Sequence, residues 1–366
     1  MRAASLLLAL SEVRNRHASL RFGSPLLLAA LLLATSCKKA PPLADLPQKA
    51  ASATPADPAP APSAPTPTPL SPKAASISAV TDRIDGKIAL QRARTICTLG
   101  SRAYGTPGYR QTLAYLRSEL TRLGWHTVFQ AFESKTPAGD RTYTNLIATW
   151  PLDKDAPKGK AATNRLILTA HYDAPNAELT DFPAASSGAA GCGLILELAE
   201  RLATAPTLAA RVEFVIFDGE EPVQQMSATD GLAGSRFYLH SLNTNGETSR
   251  VRALLAFGAI GHSRARWTLP TVTNADLNRA LQTSIFLHKW EGQLTLLGRP
   301  AWGPHLPALQ AGIPATFLHD ALFPALGTAD DTPEQLEAES LRRAGLASLQ
   351  LLNLPPLAPA AETKTN

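Results

Sequence analysis

A chain of 366 residues, 45% hydrophobic and 18% charged, is ordinary globular material with length for one large core. Its formal charge of +5 includes no basic stripe interleaved with aromatics, so no nucleic-acid partner is expected. Arg2, Arg14, Arg16 and Arg21 stand against Glu12 alone in residues 1–36, so the rest of the chain lies nearer neutrality.

The first element is Pro25 to Ala34, PLLLAALLLA, an apolar run that follows Arg14, Arg16 and Arg21. It is too short to span a membrane, and basic, then apolar, then small residues describe a secretory signal. The run ends Ala34-Thr35-Ser36-Cys37, which resembles a bacterial lipobox, although Leu is more usual at the first place. The expectation is a lipoprotein-type signal over 1–36, with cleavage at Cys37 and a membrane anchor through a lipid on that residue. The competing reading is a plain secreted protein with a chance Cys. Lys38 in place of Asp is compatible with the outer membrane, so the expected location is the bacterial cell envelope, outer-membrane-bound or facing the periplasm. Residues 37–74 are rich in Ala, Pro, Ser and Thr and read as an extended tether. A folded domain is expected over 75–354 and a disordered tail over 355–366.

Within the domain, Tyr109 to Leu123 has leucines at helical spacing and stops at Gly124. Trp125 to Phe132 and Tyr143 to Trp150 read as strands, and Lys154 to Asn164 as a polar loop. Arg165 to Asp173 (RLILTAHYD) is a buried strand and Ala189 to Leu202 a helix. Arg211 to Phe217 is the next strand and runs into Asp218-Gly219-Glu220-Glu221. A helix over Asp230 to Leu242, a strand over Leu254 to Ile260 and a helix over Asn274 to Trp290 follow. A strand over Ile313 to Leu318 and a closing helix over Pro333 to Leu351 complete the pattern. Alternation of this kind implies a mixed, largely parallel sheet covered on both faces. Cys97 and Cys192 either pair or are two buried thiols; two cysteines do not make a cysteine zinc site.

Two strand ends carry the chemistry. His171 and Asp173 end one, Glu220 and Glu221 the other. Side chains alternate along a strand and its exit, so the two glutamates point apart. One can bind a metal while the other handles a proton. Acids after a single strand more often cap a helix or face water; two such ends in order favour a site beyond the carboxyl edge of the sheet.

Several segments in order resemble the zinc-dependent aminopeptidase family numbered twenty-eight among metallopeptidases, nearest its glutaminyl cyclase branch. They are GSRAYGTPGYRQ, FESKTPAGDRTYTNLIAT, LILTAHYD, FPAASSGAAGCGLILELAERL, VEFVIFDGEEP with DGLAGSRFY, HLPALQAGIPATFLH, and FPALGTADDTPEQL. The resemblance implies a three-layer α/β/α sandwich around a twisted, mixed, mainly parallel sheet of about eight strands, with zinc as cofactor. It implies that Glu220 is the general base and that His171 and Glu221 are retained candidate metal ligands. At three other ligand places it aligns Ser187, Gly258 and Gly327, residues that cannot replace Asp, Asp and His. The cyclases' acids ahead of His-Ile-Pro correspond to Gly303-Pro304 before His305, and their tryptophan pocket walls to Met226 and Leu326.

A catalytic zinc usually needs three protein ligands and an open position. In the cyclase pattern the three read Ser187, Glu221 and Gly327 here. Candidates for a rebuilt site are His171, Asp173, Glu178, Asp181, Asp230, His262, His305 and His319, each by default a packed or exposed residue. Ser187 reads as a cap on the helix that opens near Gly188. The expected function is therefore a catalytically impaired, membrane-tethered peptidase-like domain whose zinc is absent or weakly held. Its cleft would serve a peptide or an envelope protein. The alternative is an active zinc aminopeptidase or glutaminyl-peptide cyclotransferase with non-standard ligands.

Overall fold

The computed structural model describes residues 76–151, 164–175, 183–290, 292, 294–296 and 301–354. The expected signal, Cys37, tether and tail, with Glu178 and Asp181, lie outside them. The described residues open with helices α1 (Ile77–Thr81), α2 (Gly86–Thr98) and α3 (Pro107–Arg122). The Thr106 hydroxyl caps α3 by accepting the Tyr109 N–H, and Pro107 supplies a φ already suited to a first turn. Strands β1 (His126–Thr136) and β2 (Gly139–Thr149) form a hairpin. Next come β3 (Arg165–His171), a π-helical turn at Ala185–Ala189, α4 (Ala190–Ala203) and α5 (Pro206–Ala209). They are followed by β4 (Val212–Phe217), α6 (Ala233–Thr244), β5 (Val251–Phe257), β6 (Trp267–Leu269) and α7 (Ala275–Leu287). The described residues finish with β7 (Leu294–Leu296), α8 (His305–Gln310), β8 (Ala315–Leu318) and α9 (Ala338–Gln350).

The main sheet has six strands in the order β1-β2-β4-β3-β5-β8; β6 and β7 form a separate two-stranded ribbon. Among the described residues eight strands are thus present, close to the number the resemblance implies, but two of them lie outside the main sheet. Three of the main sheet's pairings are parallel, β4 on β3, β3 on β5 and β5 on β8. The central strands are largely hydrophobic because helices cover both faces. Leu166, Leu168, Phe214, Ile216, Leu255 and Phe257 face one core with α2, α4 and α9. Ile167, Val215, Phe217, Leu254 and Ala256 face the other with α6 and α8. This alternation is the period-2 rule of strands.

Register places the head of the sheet. His171 lies opposite Phe217, and Phe257 opposite Leu318. The exits of β3, β4, β5 and β8 therefore open on one crevice. The chain leaves β3 for β4 on one side and returns to β5 on the other, the strand-order reversal at which open α/β sheets form clefts.

Element boundaries moved where tertiary contacts override local pattern. Asp230 is not helical: its carboxylate accepts the N–H groups of Val223, Gln224 and Gln225 at 2.8, 2.9 and 3.0 Å and shapes the loop before α6. The closing segment begins with a 3₁₀ turn at Pro333–Gln335 before α9. Helix α2 buries Ala89, Ala93 and Ile96 on one face, and Ala89 and Ala93 pack closely on Gly193 of α4. Cys97 and Cys192 are both free thiols, which leaves the two-thiol reading.

Candidate functional site

A cavity of about 210 Å³ sits at the head of the sheet. His171, Ser187, Glu220, Glu221, Gly258, His319 and Gly327 line it, with Met226, Phe317, Trp302 and Leu326 among its apolar walls. The structure thus brings the retained and the replaced positions to one pocket. Of the other candidates, Asp173 stands behind His171. His262 is turned away and hydrogen-bonds Asp320 at 2.8 Å. His305 is fully buried behind Phe317.

The two glutamates do point apart. Glu220 turns toward the first turn of α6, where its oxygens accept the Ser235 N–H at 2.7 Å and the Ser235 hydroxyl at 3.0 Å. Burial pushes its pKa up to about 8, against the lowering effect of Ser235. Glu221 turns the other way, and its carboxylate lies 3.9 Å from His171 Nε2. Its pKa is raised to about 7, chiefly by burial, with His171 opposing. Burial lowers the His171 pKa, but Asp173, Glu221 and Glu220 together outweigh it and lift the ring to about 9. Asp173 ties the two strand ends together. One oxygen accepts His171 Nδ1–H at 3.2 Å and the other the Glu221 N–H at 2.9 Å.

The supporting residues carry no signal in local pattern. Asp218 is fully buried and accepts from the Tyr109 hydroxyl, the Tyr172 hydroxyl at 2.8 Å and the Thr144 N–H at 2.6 Å. Arg102, 1% exposed, donates to the carbonyls of Tyr172 and Ala184, each at 2.9 Å. It thereby clamps the exit of β3 to the start of the π-helical turn, where Ala184 has a left-handed φ of 43°. The segments GSRAYG and HYD contain Arg102 and Tyr172, but nothing in their spacing assigns these partners.

The expected cap at Ser187 is replaced by another residue. Ser187 lies inside the π-helical turn and makes no side-chain cap. Asp331 does that work from across the fold, accepting the N–H groups of Ser186 at 2.7 Å and Ser187 at 3.4 Å. Ser187 instead lines the pocket.

Zinc does not fit the donor set present. A zinc site of the usual kind takes three protein ligands. At the three cyclase-type places stand a hydroxyl, the Glu221 carboxylate and a glycine. At Gly258 a Cβ would overlap His319 Nδ1, so the imidazole fills the space a longer side chain would need. Among the described residues no three His, Cys, Asp or Glu side chains are grouped to hold a metal ion.

The fold agrees with what the chain is similar to. A glutaminyl-peptide cyclotransferase-like protein of Bos taurus is 28% identical over 265 residues, which is 64% of this chain and 67% of that protein. A glutaminyl-peptide cyclotransferase of Dictyostelium discoideum is 30% identical over 151 residues, 38% of this chain and 42% of that protein. The crystal structure of an Acidobacteriales bacterium glutaminyl cyclase superposes with a TM-score of 0.65 at 22% identity, covering 80% of this chain and 98% of the other. A Zn-dependent exopeptidase from Parabacteroides distasonis gives 0.64 at 18% identity, covering 74% and 98%. At such identities these solved structures establish the fold alone. Residues 145–352 match the model of Peptidase family M28, more than half of the chain, and the chain belongs to that family.

Proposed function

We propose that this protein is a non-catalytic M28 domain, tethered to a bacterial membrane through a lipid on Cys37, whose cleft binds a peptide or an envelope partner. The observation that carries the reading is the donor set of the pocket. Only Glu221 among Ser187, Glu221 and Gly327 offers a ligating carboxylate or imidazole. Without a metal, no water is acidified and no carbonyl is polarised at the site. Glu220 alone, as a base, is typically worth about 10²–10⁴-fold, and both its oxygens are already engaged by Ser235.

A second reading has one observation in its favour. Asp173 holds His171 Nδ1–H, the orientation that presents a histidine's Nε2 to a metal. That arrangement would suit an active zinc aminopeptidase or glutaminyl-peptide cyclotransferase. If such a site formed, His171 and Glu221 would hold the zinc, which would supply Lewis-acid chemistry.

Metal analysis separates the two. Protein purified without chelator and re-equilibrated with zinc is expected to hold well under one zinc per chain, unchanged in Glu221→Ala. One zinc per chain, lost on Glu221→Ala, would overturn the proposal. Release of N-terminal residues, or cyclisation of Gln-peptides, that disappears in Glu220→Gln would do so more strongly.

A further inference from the structure

The pocket's hydrogen-bonding groups are unevenly spent, and that imbalance points to a ligand class. On the acceptor side, both oxygens of Glu220 are taken by Ser235, and those of Asp173 by His171 and the Glu221 N–H. Gly258 and Gly303 contribute no acceptor side chain. One carboxylate, Glu221, remains, and it stands opposite His171 Nε2. An ammonium group has three N–H donors to satisfy and finds one carboxylate.

The donor side is open. His319 Nδ1 accepts the Ala259 N–H at 3.0 Å, so the ring proton sits on Nε2. That Nε2–H has no partner among the described residues, and neither has the Ser187 hydroxyl; both residues line the cavity. His319 cannot easily swing away. It stacks on Phe317 with centroids 4.8 Å apart and planes 5° apart, and Phe317 stacks on His305 at 5.4 Å and 19°. Gly258 and Gly303 make room for this column: a Cβ at 258 would overlap His319, and one at 303 would come within 2.7 Å of Phe317. The remaining lining, Met226, Leu232, Phe257 and Leu326, is apolar, with Trp302 half-exposed beside it. The volume of about 210 Å³ lies below the roughly 300–1,000 Å³ of small-molecule pockets and suits a single residue.

We propose that this pocket binds an uncharged acyl group carried on an apolar residue, as at the N-acylated end of a peptide, with the acyl oxygen accepting from His319 Nε2–H. The proposal rests on the reading of the cleft as a peptide-binding surface and adds which terminus it selects. Calorimetry on the full chain compares N-acetyl-Phe-Ala-amide with Phe-Ala-amide bearing a free amine. The acetylated peptide is expected to bind about tenfold tighter, the scale of one hydrogen bond. His319→Asn keeps an acceptor for the Ala259 N–H but withdraws the donor from the pocket, and should abolish most of that preference. His319→Gln, whose amide reaches the place of Nε2, should retain it. Equal or tighter binding of the free amine, or a preference that survives His319→Asn, overturns the proposal and leaves the peptide-binding cleft standing. Binding of neither peptide overturns the proposal together with the peptide-binding reading of the cleft.

Discussion

Glu220 shows how burial can change what a carboxylate does. Desolvation lifts it from an ordinary 4.5 to about 8, so near neutrality it is held mostly as the acid. A group whose folded pKa is raised contributes stability that is fully present below the unfolded value and lost as pH rises through the folded one. Glu221 and Asp218, each raised to about 7 chiefly by burial, act in the same direction. His305 and His319, held down at about 4 by burial, act in the opposite one: their contribution is present above 6.5 and lost as pH falls through about 4. The thermal midpoint of chelator-treated protein should therefore fall between pH 5 and pH 9. Glu220→Gln, which can still meet Ser235, should flatten that fall. A profile identical to wild type in the variant would show that Glu220 is not the buried acid described. The pair of acids after β4 was legible in RVEFVIFDGEE, since a buried strand running into a Gly turn leaves them nowhere else to go. Their titration was not, because it depends on Ser235 and on walls from distant segments.

At the scale of elements, the crevice depends on a helix start that the neighbouring sequence does not cap. The π-helical turn ahead of α4 leaves the N–H groups of Ser186 and Ser187 in a buried place, and Asp331 accepts both. Asp331→Ala should cost about 2 kcal/mol in denaturant unfolding, the upper range for a lost cap, because the freed donors have no water to turn to. A loss below about 0.5 kcal/mol would mean that another group takes over the cap. Apolar alternation made the central strands readable, since helices bury both faces of β3, β4 and β5. Short strands such as β6 and β7 carry too few residues for a period to show, and they pair apart from the main sheet. His262 appeared available as a ligand, but its side chain is committed to Asp320 and stacks on Phe323 at 4.0 Å between centroids.

For the whole molecule, the membrane tether and the altered cleft belong to one proposal but are tested separately. Among the described residues no helix is long and apolar enough to cross a membrane. The proposed attachment rests on Cys37 and its resemblance to a lipobox. Cells expressing wild type and Cys37→Ala, grown with labelled palmitate, should label the wild type and not the variant. Equal labelling of both would leave the cleft without its anchor.

By itself the sequence determined the alternation of strands and helices, the two strand ends with their acids and histidine, and the ordered segments that mark family M28. These are local or serial properties: periodicity, turn residues and motif order survive in one dimension. Only the tertiary structure decided what stands at each altered place. Gly258 is empty because His319, brought alongside by the pairing of β5 with β8, fills its volume. Ser187 is released to the pocket because Asp331 caps the turn in its stead. Such exchanges of space and hydrogen bonds run between segments far apart in the chain, so each partner looks like a simple loss until the two are folded together.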